Sequence, residues 1–531
     1  MKNFCNARIY FKEAYYLPAS AFDAEPAAVK IRIESVEFGA WAKTVVLTPA
    51  QLTAPVLRQA CPLLRFADKK AITNFEVDLI CQLSAGLKNR SIPQGYYFEQ
   101  AGAVEFADGN ICFIRGTEVL GRCSRPYCLS PSLTSSTLMA SETPVSMLAP
   151  LLLCEPLQVL LVLAYVVLTS IRSLVLNAGI DYQAVLYIVG KQGLGKTTLA
   201  TRVSCIYQDV HTRKKVGFVQ AGSTKAAIES LMLSQRDQPL VVDDLCLSAG
   251  KETERKRREL GAALIRQGSG NTEINKKSGK KVLSFHCEAG IILTAEFTLQ
   301  NLSDLTRCLI VPVNEQLHLS DALTSDLIGE AVRQFSVWFS HNSQNELDDL
   351  QKFVSSAMDS DMDLRMVTNY ACLAAAMNSF TRFLENSGVS SVVCDKILSR
   401  MDSALCEAQA SHLKMIARIK ESLSIGNIAF HILDGLKNNV FDLTKNIQKL
   451  VTHTGIMWKG DLCLRPESLV QFIRNQPGYH NYSRNKITRE LKDLGALVIQ
   501  EETTDTVHLK KGTPRVYRIC IDALKNAAER Y

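Results

Sequence analysis

The chain has 16 cysteines but no CxxC pair, so the spacing that marks zinc ribbons and thiol-redox motifs is missing. Scattered, buried free thiols in a reducing cytoplasm are the expected state. There is no internal repeat and no long low-complexity tract. Met1 to Tyr16 carries charges throughout and lacks the apolar segment of an export signal. No apolar run reaches the roughly 20 residues of a membrane span. The most apolar stretch, Met147 to Thr169, is broken by Pro150, Glu155 and Pro156, leaving only Leu157 to Thr169. That remainder leads towards a β-rich run, so a buried helix flanking a sheet is expected and no membrane partner is. Strong net charge is absent too: +7 does not by itself argue for nucleic acid, and what matters is where the positive charge sits.

What is present is ordinary globular composition, 47% hydrophobic and 21% charged, over 531 residues, too many for one core. The reading is α/β with several domains. Residues 1–130 read as mixed α and β, with strands at Val29–Val36, Thr44–Leu47, Tyr96–Phe98, Ala103–Phe106 and Ile111–Ile114. Asp108-Gly109-Asn110 makes a hairpin turn between the last two. Residues 131–149, rich in Ser, Thr and Pro, read as a linker. Residues 150–315 alternate helical and short apolar segments, as a parallel sheet does. Residues 316–445 are nearly all helical, with apolar spacings of three and four in Leu323–Ser340, Leu364–Leu384 and Val392–Leu423. Residues 446–531 return to short helices followed by two strands.

The most specific signal is the run Ala184 to Val189 followed by Gly190-Lys191-Gln192-Gly193-Leu194-Gly195-Lys196-Thr197-Thr198 and then helix-forming Leu199 to Val203. This is GxxxxGK[ST] in the strand–loop–helix setting that gives it meaning. The glycines let backbone N–H groups converge on phosphate, and the helix N-terminus adds its positive end. Lys196 reaches the β and γ phosphates, and the Thr197 hydroxyl suits Mg2+. ATP with Mg2+ is therefore the expected ligand pair.

A second apolar strand, Gln238 to Asp244, ends in two acids. Charge at the end of a buried strand is costly unless it serves a cation or a reactive water. Asp243 suits magnesium, directly or through water, and Asp244 suits orientation of the attacking water. A third apolar strand, Ala289 to Leu293, ends in Thr294-Ala295-Glu296, where a polar group could sense the γ-phosphate. Arg307 precedes a further apolar run, Cys308 to Val313; taken alone it suits a surface salt bridge equally well.

Basic residues concentrate in two places between the second and third of these strands. Lys251 to Arg266 mixes arginines and lysines with Glu252, Glu254 and Glu259, and reads as a solvated helix face. Glu273 to Leu283 reads as a hairpin with Lys276, Lys277, Lys280 and Lys281 around a Ser278-Gly279 turn. Near the C-terminus, a helix at Glu467–Arg474, a second at Ser483–Leu494 closed by Gly495, and strands at Ala496–Ile499 and Val516–Ile521 form a winged-helix pattern. Arg484, Lys486 and Arg489 lie on its second helix, with Lys510-Lys511 in the loop before the last strand. Such modules contact DNA or dock proteins.

The succession of P-loop, acidic strand, polar-ended strand, arginine and helical segment resembles the AAA+ ATPases. With Gly222 to Ile228 ahead of the acidic strand and the winged-helix pattern at the end, it is similar to the MCM-like replicative helicases of bacterial mobile elements, the cassette-chromosome helicase type. The resemblance covers roughly residues 90 to 531, and only the P-loop is highly specific in it. It implies an AAA+ core with a helical lid, assembled as a homo-hexameric ring that moves along DNA using ATP. It further implies Thr294 as first sensor, Arg307 as a finger acting on the neighbouring subunit, and Arg365 as second sensor. The lysine hairpin would project into the ring pore towards phosphates. One departure stands out: the family's catalytic glutamate is Asp244 here, a carbon shorter, which implies looser water positioning and slower turnover. The competing reading is a nucleotide-dependent switch or defence NTPase that acts on protein partners without unwinding.

Overall fold

The first ten strand residues, Ala7–Tyr16, open on a strict in–out alternation: Ala7 and Ile9 are buried, Arg8 and Tyr10 exposed. In this computed structural model the structure describes residues 4–19, 24–36, 40–246, 251–270, 273–278, 281–299, 301–357, 363–424, 428–476, 479–498, 506–510 and 513–529. Ala7–Tyr16 is central in a sheet that runs Ala42–Leu47, Ala28–Ser35, Ala7–Tyr16, Gln94–Phe98, Tyr127–Leu129. Helix Lys69–Lys88 is capped by Asp68, whose carboxylate accepts from the Ala71 N–H at 2.6 Å. It lays Phe75, Leu79 and Leu83 into the core under that sheet.

The strands Gly102–Glu105, Ile111–Arg115 and Glu118–Gly121 form a separate antiparallel sheet, turned at Gly109 with φ 77° as the Asp-Gly-Asn signal predicts. Its anchor is buried polar chemistry. Arg115, fully buried, donates to the carbonyls of Asp237 at 2.9 Å and Ser170 at 2.5 Å. The Asp237 carboxylate, 1% exposed, accepts from Ser173 N, Ser173 Oγ and Ala103 N. Asp237→Ala would strand two buried amides and a hydroxyl, so a loss of roughly 3–5 kcal/mol is expected, read as a fall in the midpoint of chemical unfolding. The stretch read as a linker is also structured. Its strand Ser136–Leu138 pairs with Tyr207–Asp209, and the Ser136 carbonyl lies so close to Gly116 that a Cβ there would sit 1.9 Å away. Ser and Thr composition signals a turn but is silent about an edge-strand partner some 70 residues downstream.

The central sheet is all parallel and built from Val185–Gly190 (β1), Phe218–Gln220 (β2), Pro239–Leu245 (β3), Gly290–Ala295 (β4) and Cys308–Val313 (β5), in the spatial order β2-β3-β4-β1-β5. All five therefore end at one edge. Helix Leu157–Ser170 (α1) covers one face, with every residue from Val159 to Ser170 buried. Its Tyr165 hydroxyl donates to the Ile291 carbonyl at 2.9 Å, and Thr169 packs so tightly on β4 that a Cβ at Gly290 would meet it at 2.1 Å. The apolar run is thus a buried helix against the sheet. No helix among the described residues is long and apolar enough to cross a membrane.

Helix Lys196–Ser204 (α2) leaves the phosphate loop, and Lys251–Gly268 (α3) follows β3. Then come three long helices: Ser325–Ser356 (α4), Leu364–Asn386 (α5) and Ser391–Ser424 (α6). Their starts match the periodicity to within two residues; α4 runs further because its apolar stripe continues through Leu350 and Val354. The chain divides into two compact units, Met1–Phe297 with Arg307–Ala408, and Thr298–Thr306 with Gln409–Tyr531. Within the second unit, helices Pro466–Arg474 and Arg484–Asp493 bury Leu469, Ile473, Ile487 and Leu491 against Tyr517 and Ile519 of strand Arg515–Ile519. Gly495 takes φ 65° to end the second helix. Instead of a strand at Ala496–Ile499, a single bridge joins Leu497 to Ile519, and Ile499 and Lys511 lie outside the described residues.

Candidate functional site: a phosphate cleft at the end of the parallel sheet

At the C-terminal end of β1 the backbone presses against β5: a Cβ on Gly190 would lie 2.1 Å from the Val313 carbonyl. The loop then turns through Gly193 at φ 82° and Gly195 at φ 90°, conformations that only glycine adopts without strain. Gly195 caps α2 and brings no side-chain acceptor, so the amides of the first turn face an open cleft. Backbone amides so arranged are of the kind that suits an anion. Lys196, 8% exposed, donates to the Lys191 carbonyl at 2.6 Å. Burial holds its ammonium below the usual lysine pKa, opposed by the charges of Glu296, Asp243 and Asp244. The cleft is walled by the loop, by Asp243 to Leu245 of β3, and by Thr294 to Glu296 at the end of β4.

Asp243 is the hub. Its Oδ1 accepts from the Thr197 hydroxyl at 2.8 Å and the Thr294 hydroxyl at 2.5 Å, and its Oδ2 accepts from Gln220 Nε2 at 3.3 Å. A buried carboxylate beside a threonine hydroxyl at the foot of a phosphate loop is a hard-oxygen donor set, the kind that suits Mg2+. Asp244 reaches the same cleft by a different device. Neighbouring strand residues normally face opposite sides. Here Val242 pairs with Leu293 but Leu245 pairs with Ala295, so β3 carries one extra residue. The bulge puts Asp244 at φ 70°, with its N–H donating to Thr294 Oγ1 at 3.1 Å. A non-glycine residue in that region costs on the order of 1–3 kcal/mol. Bulges of this kind re-aim side chains beside functional sites.

The two arginines expected to act in hydrolysis are not at this cleft. The Arg307 carbonyl accepts from Val185 N at 3.0 Å, which places its backbone at the N-terminal end of β1. The phosphate loop leaves the other end, and six strand residues at about 3.3 Å each put roughly 20 Å between them. Arg365 opens α5 behind Asp363, which caps its N–H. One turn on, Asn369 accepts from Gln183 N and donates to Gln183 O, both at 3.1 Å, just ahead of β1. Tyr370 then meets Ile310 N inside the sheet. The helix thus starts at the end of the sheet away from the cleft, and Arg365 is not brought to this chain's own phosphate site. Periodicity locates a helix start in the chain but not the sheet edge it begins from.

This chain has the fold of the SCCmec type IV Cch protein. That protein, described as an active helicase, aligns over 98% of this chain and 95% of its own at a TM-score of 0.54 and 15% identity. The likeness extends over almost the whole length, in line with the cassette-chromosome resemblance seen in the motifs, and at this identity it concerns the fold. Two structures of JCV helicase align with 50% of this chain at 10% and 11% identity, covering 65% and 64% of their own chains. Their TM-scores of 0.18 and 0.19 give them no weight. No family model and no curated protein matches the sequence.

With that fold in view, the basic segments acquire positions. α3 is not simply a solvated face. Arg257, its side chain 19% exposed, lies 3.9 Å from Asp244 Oδ2 and donates to the Cys246 carbonyl, while Arg258 sits 4.4 Å over the Phe297 ring. Alternating charges predict exposure but say nothing of which arginines fold inward. The lysine hairpin is present as paired strands Ile274–Ser278 and Lys281–Phe285, with Lys276 opposite Leu283, Lys277 opposite Val282 and Ser278 opposite Lys281. Its two-residue loop, Gly279 and Lys280, lies outside the described residues. In the second unit, Arg484 is turned inward, donating to the Tyr517 hydroxyl at 2.9 Å. Lys486 covers the Tyr482 ring at 3.7 Å, and Arg489 stands out with its side chain 83% exposed.

Proposed function

We propose that this chain is an ATP-hydrolysing AAA+ motor that binds and translocates on DNA, a replicative helicase or initiator of a mobile element, working as a homo-hexamer. In this reading residues 150–315 are the AAA+ core, 316–445 the helical lid and 446–531 a winged-helix domain. Gly190 to Thr198 hold the phosphates. Thr197 and Asp243 would hold Mg2+, which supplies charge neutralisation at the phosphates. Asp244 orients the attacking water, and Thr294 senses the γ-phosphate while positioning both acids. Lys276, Lys277, Lys280 and Lys281 track single-stranded DNA in a pore; Lys486 and Arg489 add contacts from helix Arg484–Asp493, with Arg484 supporting them.

The observation that carries this reading is the separation within one chain. The phosphate loop, the acids and Thr294 gather at one end of the sheet, while Arg307 and Arg365 belong to the other end. For Arg307 to stabilise a transferring phosphoryl group it would have to act on the cleft of a neighbouring copy, which a ring provides. The test is complementation. Arg307→Ala alone is expected to lose ATPase by about 10³-fold or more. Mixing it with an equally inactive Lys196→Ala chain should restore a measurable fraction, because one interface then pairs an intact loop with an intact arginine. No recovery, together with a monomeric native mass, would sink the oligomeric motor.

A further inference from the structure

Three carboxylates line the phosphate cleft, and two of them are already engaged. Asp243 is held by Thr197, Thr294 and Gln220. Asp244 is half-exposed, confined to a left-handed backbone conformation, and faces Arg257. The third, Glu296, is half-buried, and its carboxylate has no hydrogen-bond or ion-pair partner among the described residues. Its backbone is nevertheless well fixed. The Glu296 N–H continues the sheet ladder onto the Leu245 carbonyl at 3.1 Å, one residue past the Ala295–Val189 pair. Thr294 within β4 and Glu296 one residue beyond its end both line the cleft. Thr294 touches the carboxylate that marks the metal position. Glu296 therefore stands one step further out, in front of Lys196, where the far end of a triphosphate would lie. Of the three acids, Glu296 weighs most in opposing the effect of burial on Lys196. A carboxylate that lines the cleft opposite Lys196 and is held by no hydrogen bond among the described residues is available to a bound water.

We propose that Glu296 is a second water-orienting carboxylate, acting with Asp244 on the same attacking water. This rests on the ATPase reading above. In the step concerned, the water oxygen bonds to the γ-phosphorus while the bond from phosphorus to the bridging oxygen of ADP breaks. ADP keeps that electron pair, and the water proton passes to the carboxylate and then to solvent, leaving ADP and inorganic phosphate. The longer Glu296 side chain supplies the reach that the shorter Asp244 lacks, and Asp244 already has Arg257 3.9 Å away.

The test compares Glu296→Gln, Asp244→Asn and the double variant in the full chain with Mg2+ and ATP. Glu296→Gln should keep nucleotide affinity, measured by titration with a fluorescent ATP analogue, while kcat falls by about 10²-fold or more. Because both acids would serve one water, the double variant should be little slower than the slower single variant. Glu296→Asp should recover part of the lost kcat with KM unchanged, which a merely structural role would not produce. A Glu296→Gln chain with kcat within about threefold of the parent overturns the proposal. Loss of nucleotide binding in Glu296→Gln also overturns it, since the carboxylate would then serve the ground state. If the parent chain itself binds no nucleotide, the ATPase reading falls, and the failure is distinguished by the binding titration.

Discussion

Lys196→Ala should abolish hydrolysis, with turnover down at least about 10²- to 10³-fold, the cost of losing one preorganised charge from a transition-state site. Nucleotide affinity should fall sharply as well, because the same ammonium faces the ground-state phosphates. The cause is local. Gly193 and Gly195 turn the backbone so that the amides of the first turn of α2 face the cleft, and Lys196 is the charge that completes this cradle. Its ammonium already lies inside, bonded to the Lys191 carbonyl, so binding needs a change of partner rather than entry from solvent. Phosphate release and nucleotide titration on the purified variant check both parts. Unchanged turnover would end the assignment of the loop.

Replacing Lys276, Lys277, Lys280 and Lys281 together with Ala should leave nucleotide binding and assembly intact, since none of them belongs to a nucleotide motif. If the hairpin tracks a phosphate backbone, affinity for single-stranded DNA should fall about tenfold or more and its salt dependence should flatten. For single strands the slope changes by roughly 0.7 for each phosphate that is no longer neutralised, so removing all four lysines would change it by about 3. DNA stimulation of ATPase and unwinding should fail together while basal hydrolysis persists. An unchanged affinity and slope would make the hairpin an exposed turn and favour the switch-type NTPase over the motor.

What was legible in the sequence was whatever is decided within a few turns of chain. The strand–loop–helix of Ala184 to Val203 is contiguous and set by backbone dihedrals and one helix end, so its local structure could be read directly. The long helices declared themselves by periodicity, and Leu157 to Ser170 by an apolar run too short for a membrane and too apolar for a surface. The hairpin turned at Gly109 and the one pairing Ile274–Ser278 with Lys281–Phe285 were equally local.

The sequence by itself therefore determined a glycine-rich loop between a strand and a helix of an α/β sheet, with acids and a threonine at the ends of later strands. Only the tertiary structure decided how those strands meet. The one-residue slip of β3 against β4 turns Asp244 into the cleft beside Asp243, and no local propensity encodes it, because Val242 and Leu293 are paired across 50 intervening residues. The same packing leaves Glu296 facing Lys196 and folds Arg257 towards Asp244. It also sends Arg307 and Arg365 to the other end of the sheet. The physical reason is that dihedral preference and periodicity act over a few residues, whereas register and sheet edge are chosen by burial between segments far apart in the chain.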